Sequence, residues 1–495
     1  MDESIDVNDA LTHASNPDNN IRSIGEDMLK RLQNRDLPNF LLYLSSELVR
    51  EGIPEESRVL AAITLKNSLD SKDPALKDAH KDLLCLKWLS VDKSIRLEIK
   101  NNLLMTLEID SRPSHSRHPS SKVIAEVIAR VACMEIPRNQ WLDLVGKLMD
   151  NMASLSSSLK QATLEVLQYI FKAKIPNVVK RDQVDDVIAS VISALNDEVL
   201  GSQVLLAALK ALHNIFEFTK FEDHDWRGAI EAVFAVAYRT SGTEIPEAAF
   251  EYLVAIASTC HTKFEPDIEV LMCITTQALN GDVESLKVQC IKLWITICEK
   301  EIDWLEEEEE EEEEKEDKDE SYFTGPLYSL VPLLLQTYLN EEERDLEQMD
   351  IWIISMTCLG LAARILKGGV VPTVMHFVEE NMNGPHKIAA LSPLGFILEG
   401  PSVKQLAPLV DLLLALMEYQ AEGVRGRAAW TLGRLFELVG AHRIMRNEVV
   451  SLDRIMELLI ERSCDVPQVS IEVHGALYFL ARGYGEDAKS RSKSN

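Results

Sequence analysis

Carboxylates are the side chains this sequence concentrates most densely, and the chemistry open to them is the capture of basic groups. Residues 306 to 314 are nine consecutive glutamates, and 306–320 holds thirteen acids against two lysines. A second group, Glu341, Glu342, Glu343, Asp345, Glu347 and Asp350, puts six acids within ten residues. Each exposed pairing of such a carboxylate with a partner's lysine or arginine adds only about 0–1 kcal/mol, while the cluster as a whole raises the rate of encounter. A run of like charge also repels itself, so 306–320 predicts a disordered insertion, and 341–350 can equally be a solvated loop between helices.

Chemistry of other kinds has little support. Among 21 glycines there is no Gly-x-x-x-x-Gly-Lys-Ser/Thr phosphate loop, and neither a Gly-x-Ser-x-Gly elbow nor a His-Glu-x-x-His zinc pattern occurs. The eight cysteines are scattered without a Cys-x-x-Cys pair and read as small buried hydrophobes. His115 and His118 sit in a Ser/Pro-rich stretch, where solvation is the expectation and metal binding is not. No catalytic residue, metal or cofactor is expected, and the chain reads as a non-enzyme.

The formal net charge is −29. An acidic surface repels nucleic-acid backbones and anionic membranes and attracts basic proteins over long range. Met1-Asp2-Glu3-Ser4-Ile5-Asp6 lacks the basic and apolar regions of a secretory signal, and no apolar run of about 18 residues is evident. The expectation is a monomer in the cytosol or nucleus, with protein partners and neither nucleic acid nor membrane.

The elements that must carry these surfaces follow from a loose repeat of about forty residues. Paired small residues recur on helical apolar stretches at Ala61-Ala62, Ala207-Ala208, Ala248-Ala249, Ala389-Ala390 and Ala428-Ala429. Two copies, beginning at Arg58 and Arg425, share the pattern Arg-x-x-Ala-Ala-x-Thr-Leu. Small residues at that place let helix axes approach to about 8–10 Å, so two-helix units can stack. The fold class predicted is all-α, a right-handed α-solenoid of about 10–11 HEAT or armadillo-type repeats. Its expected divisions are repeats over 1–110, a Ser/Pro loop at 111–121, repeats over 122–305, the acidic insertion at 306–320, repeats over 321–485, and a disordered polar tail at 486–495. Expected helices include 138–153, 264–280 and 385–398.

Particular residues resemble the importin-β nuclear transport receptors, a family of HEAT-repeat solenoids. They are Leu65-Lys66-Asn67-Ser68-Leu69, Lys87-Trp88-Leu89, Ile99-Lys100-Asn101, Val131 to Pro137 with Asn139-Gln140-Trp141, Glu217 to Lys220, Ile397 to Pro401, and Ala428 to Arg434. They occur in family order along nearly the whole chain and include turn and surface positions. The resemblance is to the family's amino-terminal half, since the family is nearly twice as long.

That resemblance implies binding of Ran in its GTP form by the first repeats and by an acidic loop, and of phenylalanine-glycine (FG) nucleoporins between helices of the middle repeats. It places Lys66 and Lys72 near the Ran surface, although any exposed lysine at a helix end would look alike, and it places the acids of 341–350 in the acidic loop. Thr163, Leu164 and Leu167 match a nucleoporin slot, with Ile230, Val233 and Phe234 opposite; each can equally serve the core. Trp430 matches a tryptophan that grips importin-α's basic arm. No tryptophan stands at a second such place, near Ala476-Leu477-Tyr478, so binding of importin-α or basic cargo is expected to be weak or lost. The second reading is a HEAT scaffold or regulatory paralogue that carries no cargo.

Overall fold

The structure, a computed structural model, describes residues 6–50, 52, 54–69, 77–110, 120–176, 178–240, 242–311, 321–341, 349–384, 386–440 and 452–493. Expectations for Lys72, for 111–119 with His115 and His118, for 312–320 and for 342–348 lie outside the described residues. Every regular element among the described residues is helical, and the chain is an all-α solenoid of HEAT type. It divides into two compact units, Met1–Thr240 and Ser241–Asn495.

In the first unit helices pair along the chain: Leu37–Val49 with Glu55–Leu69, Lys93–Asp110 with Ser120–Glu135, Leu144–Met152 with Ser157–Lys172, and Arg181–Asn196 with Ser202–Phe218. The second helix of each pair packs on the second helix of the next. The second unit repeats the scheme, with Glu244–Cys260 on Glu284–Glu311, that helix on Met349–Leu366, and Glu422–Leu435 on Pro467–Lys493.

The small-residue pairs lie on helices of this stacking. Ala61, Ala62, Ala208, Ala249, Ala390, Ala428 and Ala429 are fully buried. Gly433 goes further, since a Cβ there would lie 3.3 Å from the Ala476 backbone of the neighbouring helix. A larger side chain at any of these positions would force helices apart that are packed at interior density.

The arginine of the shared pattern has one structural task in both copies. Arg58 donates to Asp110 (3.2 Å) and to the Arg50 carbonyl, while Arg425 makes a bidentate pair with Asp465 (2.7 and 2.8 Å) and donates to the carbonyls of Tyr419 and Gln420. In each case one guanidinium satisfies carbonyls left over where the preceding helix ends and ties that turn to a carboxylate of the next repeat. The Arg425 guanidinium holds the Asp465 carboxyl down at about 2.

Several residues that carry the family resemblance meet in one buried network. Glu135 has no exposed surface and accepts from Trp88 Nε1 (3.1 Å), Arg96 (2.5 Å) and Lys100 Nζ (2.6 Å). Arg96 also donates to Gln140 (2.7 Å), and the Lys100 ammonium lies 5.1 Å from the centre of the Trp141 ring. Two cations thus share one carboxylate, joining Lys77–Ser90, Lys93–Asp110 and Ser120–Glu135.

Prolines shorten three expected helices. Pro137 falls in a 3-10 turn, Ile136–Arg138, followed by Asn139 in the left-handed region (φ 58°), so the helix expected from 138 begins at Leu144. Pro266 places His261–Asp267 in a 3-10 helix and delays its helix to Ile268, and Pro393 cuts 385–398 to Lys387–Leu391 plus a 3-10 turn. Proline supplies no amide proton and clashes with the preceding turn, which leaves these segments in tighter, shorter turns.

Two acidic or polar stretches are more helical than expected. Glu306 to Glu311 continue the helix that starts at Glu284, and Glu306 pairs with Arg364 at 2.7 Å. The last helix likewise runs through the expected tail to Lys493. Both extend a helix already nucleated by buried turns, and propagation costs far less than nucleation.

Two further corrections concern burial. Ile351–Asn381 has the length and composition of a membrane span, contrary to the run-length reading, but Met356, Leu359, Ala362, Val370 and Val374 are buried core. Cys85, Cys133, Cys290, Cys298 and Cys358 are buried as expected, whereas Cys273 and Cys464 are exposed.

Candidate functional site

In the first unit, Lys66 projects near the end of Glu55–Leu69 and pairs with Glu126 on the adjacent Ser120–Glu135 helix at 2.5 Å, with both side chains part-exposed. Tyr169, one helix further on, donates its hydroxyl to the same Glu126; burial first, then the Glu126 and Glu165 carboxylates, raise its pKa. The expected Ran-facing lysine therefore sits in a polar row that crosses three successive second helices, and its charge is already partly met. A partner carboxylate would have to compete with Glu126 for it.

The six residues expected to line nucleoporin slots are core. Thr163, Leu164, Leu167, Ile230, Val233 and Phe234 are each at most 2% exposed. The two groups also occupy separate contacts: Ser157–Lys172 packs chiefly on Ser120–Glu135 and Ser202–Phe218, whereas Arg227–Arg239 packs chiefly on Arg181–Asn196. A phenyl ring needs an open apolar slot, and none is open at these side chains. Apolar spacing on one helix marks its buried face without saying whether a groove lies beside it.

Of the acidic group at 341–350, Glu341 ends the Thr324–Glu341 helix and Asp350 lies in the first turn of Met349–Leu366, while Glu342, Glu343, Asp345 and Glu347 lie outside the described residues.

Trp430 belongs to a row of aromatic rings in the second unit. Ring centres run from Tyr338 to Trp352 (6.3 Å), Trp352 to Phe396 (6.3 Å) and Phe396 to Trp430 (5.7 Å). Trp430 and Trp352 are half-buried, and the Trp430 indole fits over Gly395, where any Cβ would collide with it. The Arg427 guanidinium lies 5.0 Å from the Trp430 ring centre. Tryptophan faces attract cations, each contact giving about 0.5–2 kcal/mol according to exposure, so the row can hold arginine or lysine side chains of a basic segment. The sequence reading missed Trp352 and Phe396; the available signal was the recurrence of an aromatic residue from one repeat to the next.

Comparison with known proteins agrees with this architecture. Residues 25–108 match the model of the importin-beta N-terminal domain. Importin subunit beta-1 of Arabidopsis thaliana is 36% identical over 498 residues, covering 97% of this chain and 56% of that protein. Among solved structures, a Kap95:Nup1 complex superposes with a TM-score of 0.71 at 25% identity, covering 97% of this chain and 56% of the other. A structure in which Kap95p binding brings the switch loops of RanGDP to the GTP-bound conformation gives 0.67 at 25% identity, covering 96% and 55%. The chain spans about half the length of the curated relatives it matches. Along nearly its whole length the chain resembles the amino-terminal half of the importin-β family of HEAT-repeat proteins.

Proposed function

We propose that this chain acts as an importin-β-type receptor in protein import into the nucleus, binding Ran in its GTP form and FG nucleoporins and working between cytoplasm and nucleus, including the pore. The observation that carries this reading is the overall structural likeness, over 97% and 96% of the chain, to structures solved with Nup1 and with Ran. Lys66 and Lys72 in the first unit, with Glu341, Glu342, Glu343, Asp345, Glu347 and Asp350 in the second, are the proposed Ran contacts. Trp430, joined by Trp352, is the proposed grip on a basic segment of importin-α or cargo. The GTP belongs to Ran, so this chain would select one state of a two-state switch and needs no cofactor of its own.

One observation favours the alternative of a HEAT scaffold without transport activity: all six expected nucleoporin contacts are buried. Titration of the purified chain with Ran carrying a non-hydrolysable GTP analogue, and separately GDP, tests the proposal. Tighter binding of the GTP form is expected, and equal or absent binding would leave the scaffold reading.

A further inference from the structure

The first unit contains a cavity of about 530 Å³, within the usual range of roughly 300–1,000 Å³ for ligand sites. It opens where two inter-helix turns diverge beside Lys77–Ser90. One turn is the 3-10 segment at Pro137, ending in left-handed Asn139, and the other contains left-handed Lys174 (φ 49°) and Pro176. The lining is of two kinds. Leu84, Met134 and Ile175 supply apolar wall, and Arg130, Arg138 and Lys174 supply cations, with no carboxylate among the described lining residues.

The charged side chains among the described lining residues are all cationic, on a chain whose formal charge is −29. The charges are differently committed. Arg130 donates to the Leu69 carbonyl, Lys174 pairs with Glu217 at 3.1 Å with both side chains exposed, and exposed Arg138 spends one donor on the Met134 carbonyl. A second observation reinforces the sign. Glu135, next in sequence to the lining residue Met134, belongs to the buried network in which Arg96 and Lys100 outnumber it two to one.

We infer that this cavity is a docking site for an acidic peptide segment of a partner protein, one carrying an apolar anchor residue. The anchor fills the wall of Leu84, Met134 and Ile175. Flanking carboxylates accept from the free donors of Arg138 and displace Glu217 from Lys174. Its lining includes neither Lys66 nor Trp430, and it would recognise a segment opposite in charge to the basic arm proposed for the aromatic row.

The test is fluorescence anisotropy on the full chain with a labelled octapeptide, Glu-Asp-Glu-Leu-Phe-Glu-Asp-Glu, at 0.05 and 0.15 M salt. Saturable, salt-weakened binding is expected. Arg138→Glu combined with Lys174→Asn, an exchange that suits the left-handed backbone, is expected to weaken it about tenfold. Ile175→Ser should weaken it without altering the salt slope, since that slope reports charge. Circular dichroism should show unchanged helix in both variants, whose sites are surface turns. Absence of saturable binding would overturn the inference. So would binding indifferent to Arg138 and Lys174, or equal binding of an all-glutamate octapeptide, which would reduce the effect to diffuse charge attraction.

Discussion

The two units stack their second helices on the same small residues yet present different chemistry along that stacking. In the first, the row from Lys66 through Glu126 to Tyr169 is polar and satisfies itself, with charges and hydroxyl already paired. In the second, the row from Tyr338 through Trp352 and Phe396 to Trp430 is aromatic, with half-buried rings at Trp352, Phe396 and Trp430 and the Arg427 guanidinium over Trp430. One packing rule therefore supports two kinds of surface. Alanine at the helix contact fixes the stacking, and the residues flanking it are free to differ.

The comparison breaks most severely if the first unit loses its core. Leu167→Asp places a carboxylate among fully buried neighbours, and a loss on the order of 5 kcal/mol is expected from the missing packing plus the buried charge. Urea denaturation followed by circular dichroism measures it. Intact stability with abolished nucleoporin binding would instead restore Leu167 as a slot residue.

Glu135→Gln should come next, at about 3–5 kcal/mol, because Arg96 and Lys100 would remain buried without a counter-charge. The urea midpoint is the readout. An unchanged midpoint would show that the network is solvated and does not hold the three helices together.

A gentler contrast comes from pH. Asp465 in the second unit is held at about 2 by Arg425, below the roughly 3.9 of a free aspartate. A depressed folded-state value means that the pair's contribution is present above about pH 4 and is lost as pH falls toward 2. Asp465→Asn should lower stability at neutral pH and flatten the acid limb between those values. An unchanged acid limb would remove Asp465 from the account.

Lys66→Ala is expected to have the smallest effect, within about 1 kcal/mol, since a part-exposed pair adds little to stability. A loss well beyond that in thermal unfolding would make the Lys66–Glu126 pair structural and weaken its candidacy as a partner contact.

Much of the fold was legible because it is written locally. The forty-residue period, the small pairs and the shared arginine all lie within a helix or its turn, so the sequence exposes them directly. Long-range meetings were not legible. Trp88, Arg96 and Lys100 reach Glu135 across 35 to 47 residues, and nothing in their own segments states that partner. The site was less legible for a related reason. Leu167 and Phe234 have the apolar spacing of either a groove or a core, and only the position of neighbouring helices decides between them. Trp430 stood out through its motif, whereas Trp352 acquires its role only when Phe396, from another repeat, lies between the two rings.

The central claim is that the two rows serve different partners, and one cross-titration tests it. Wild type, Lys66→Asp, and Trp352→Ala with Trp430→Ala would each be titrated with Ran carrying the GTP analogue and with a labelled lysine/arginine-rich peptide. The account predicts that Lys66→Asp weakens Ran binding and spares the peptide, and that the double tryptophan variant does the reverse. Loss of both ligands in either variant, or of neither in both, would contradict it.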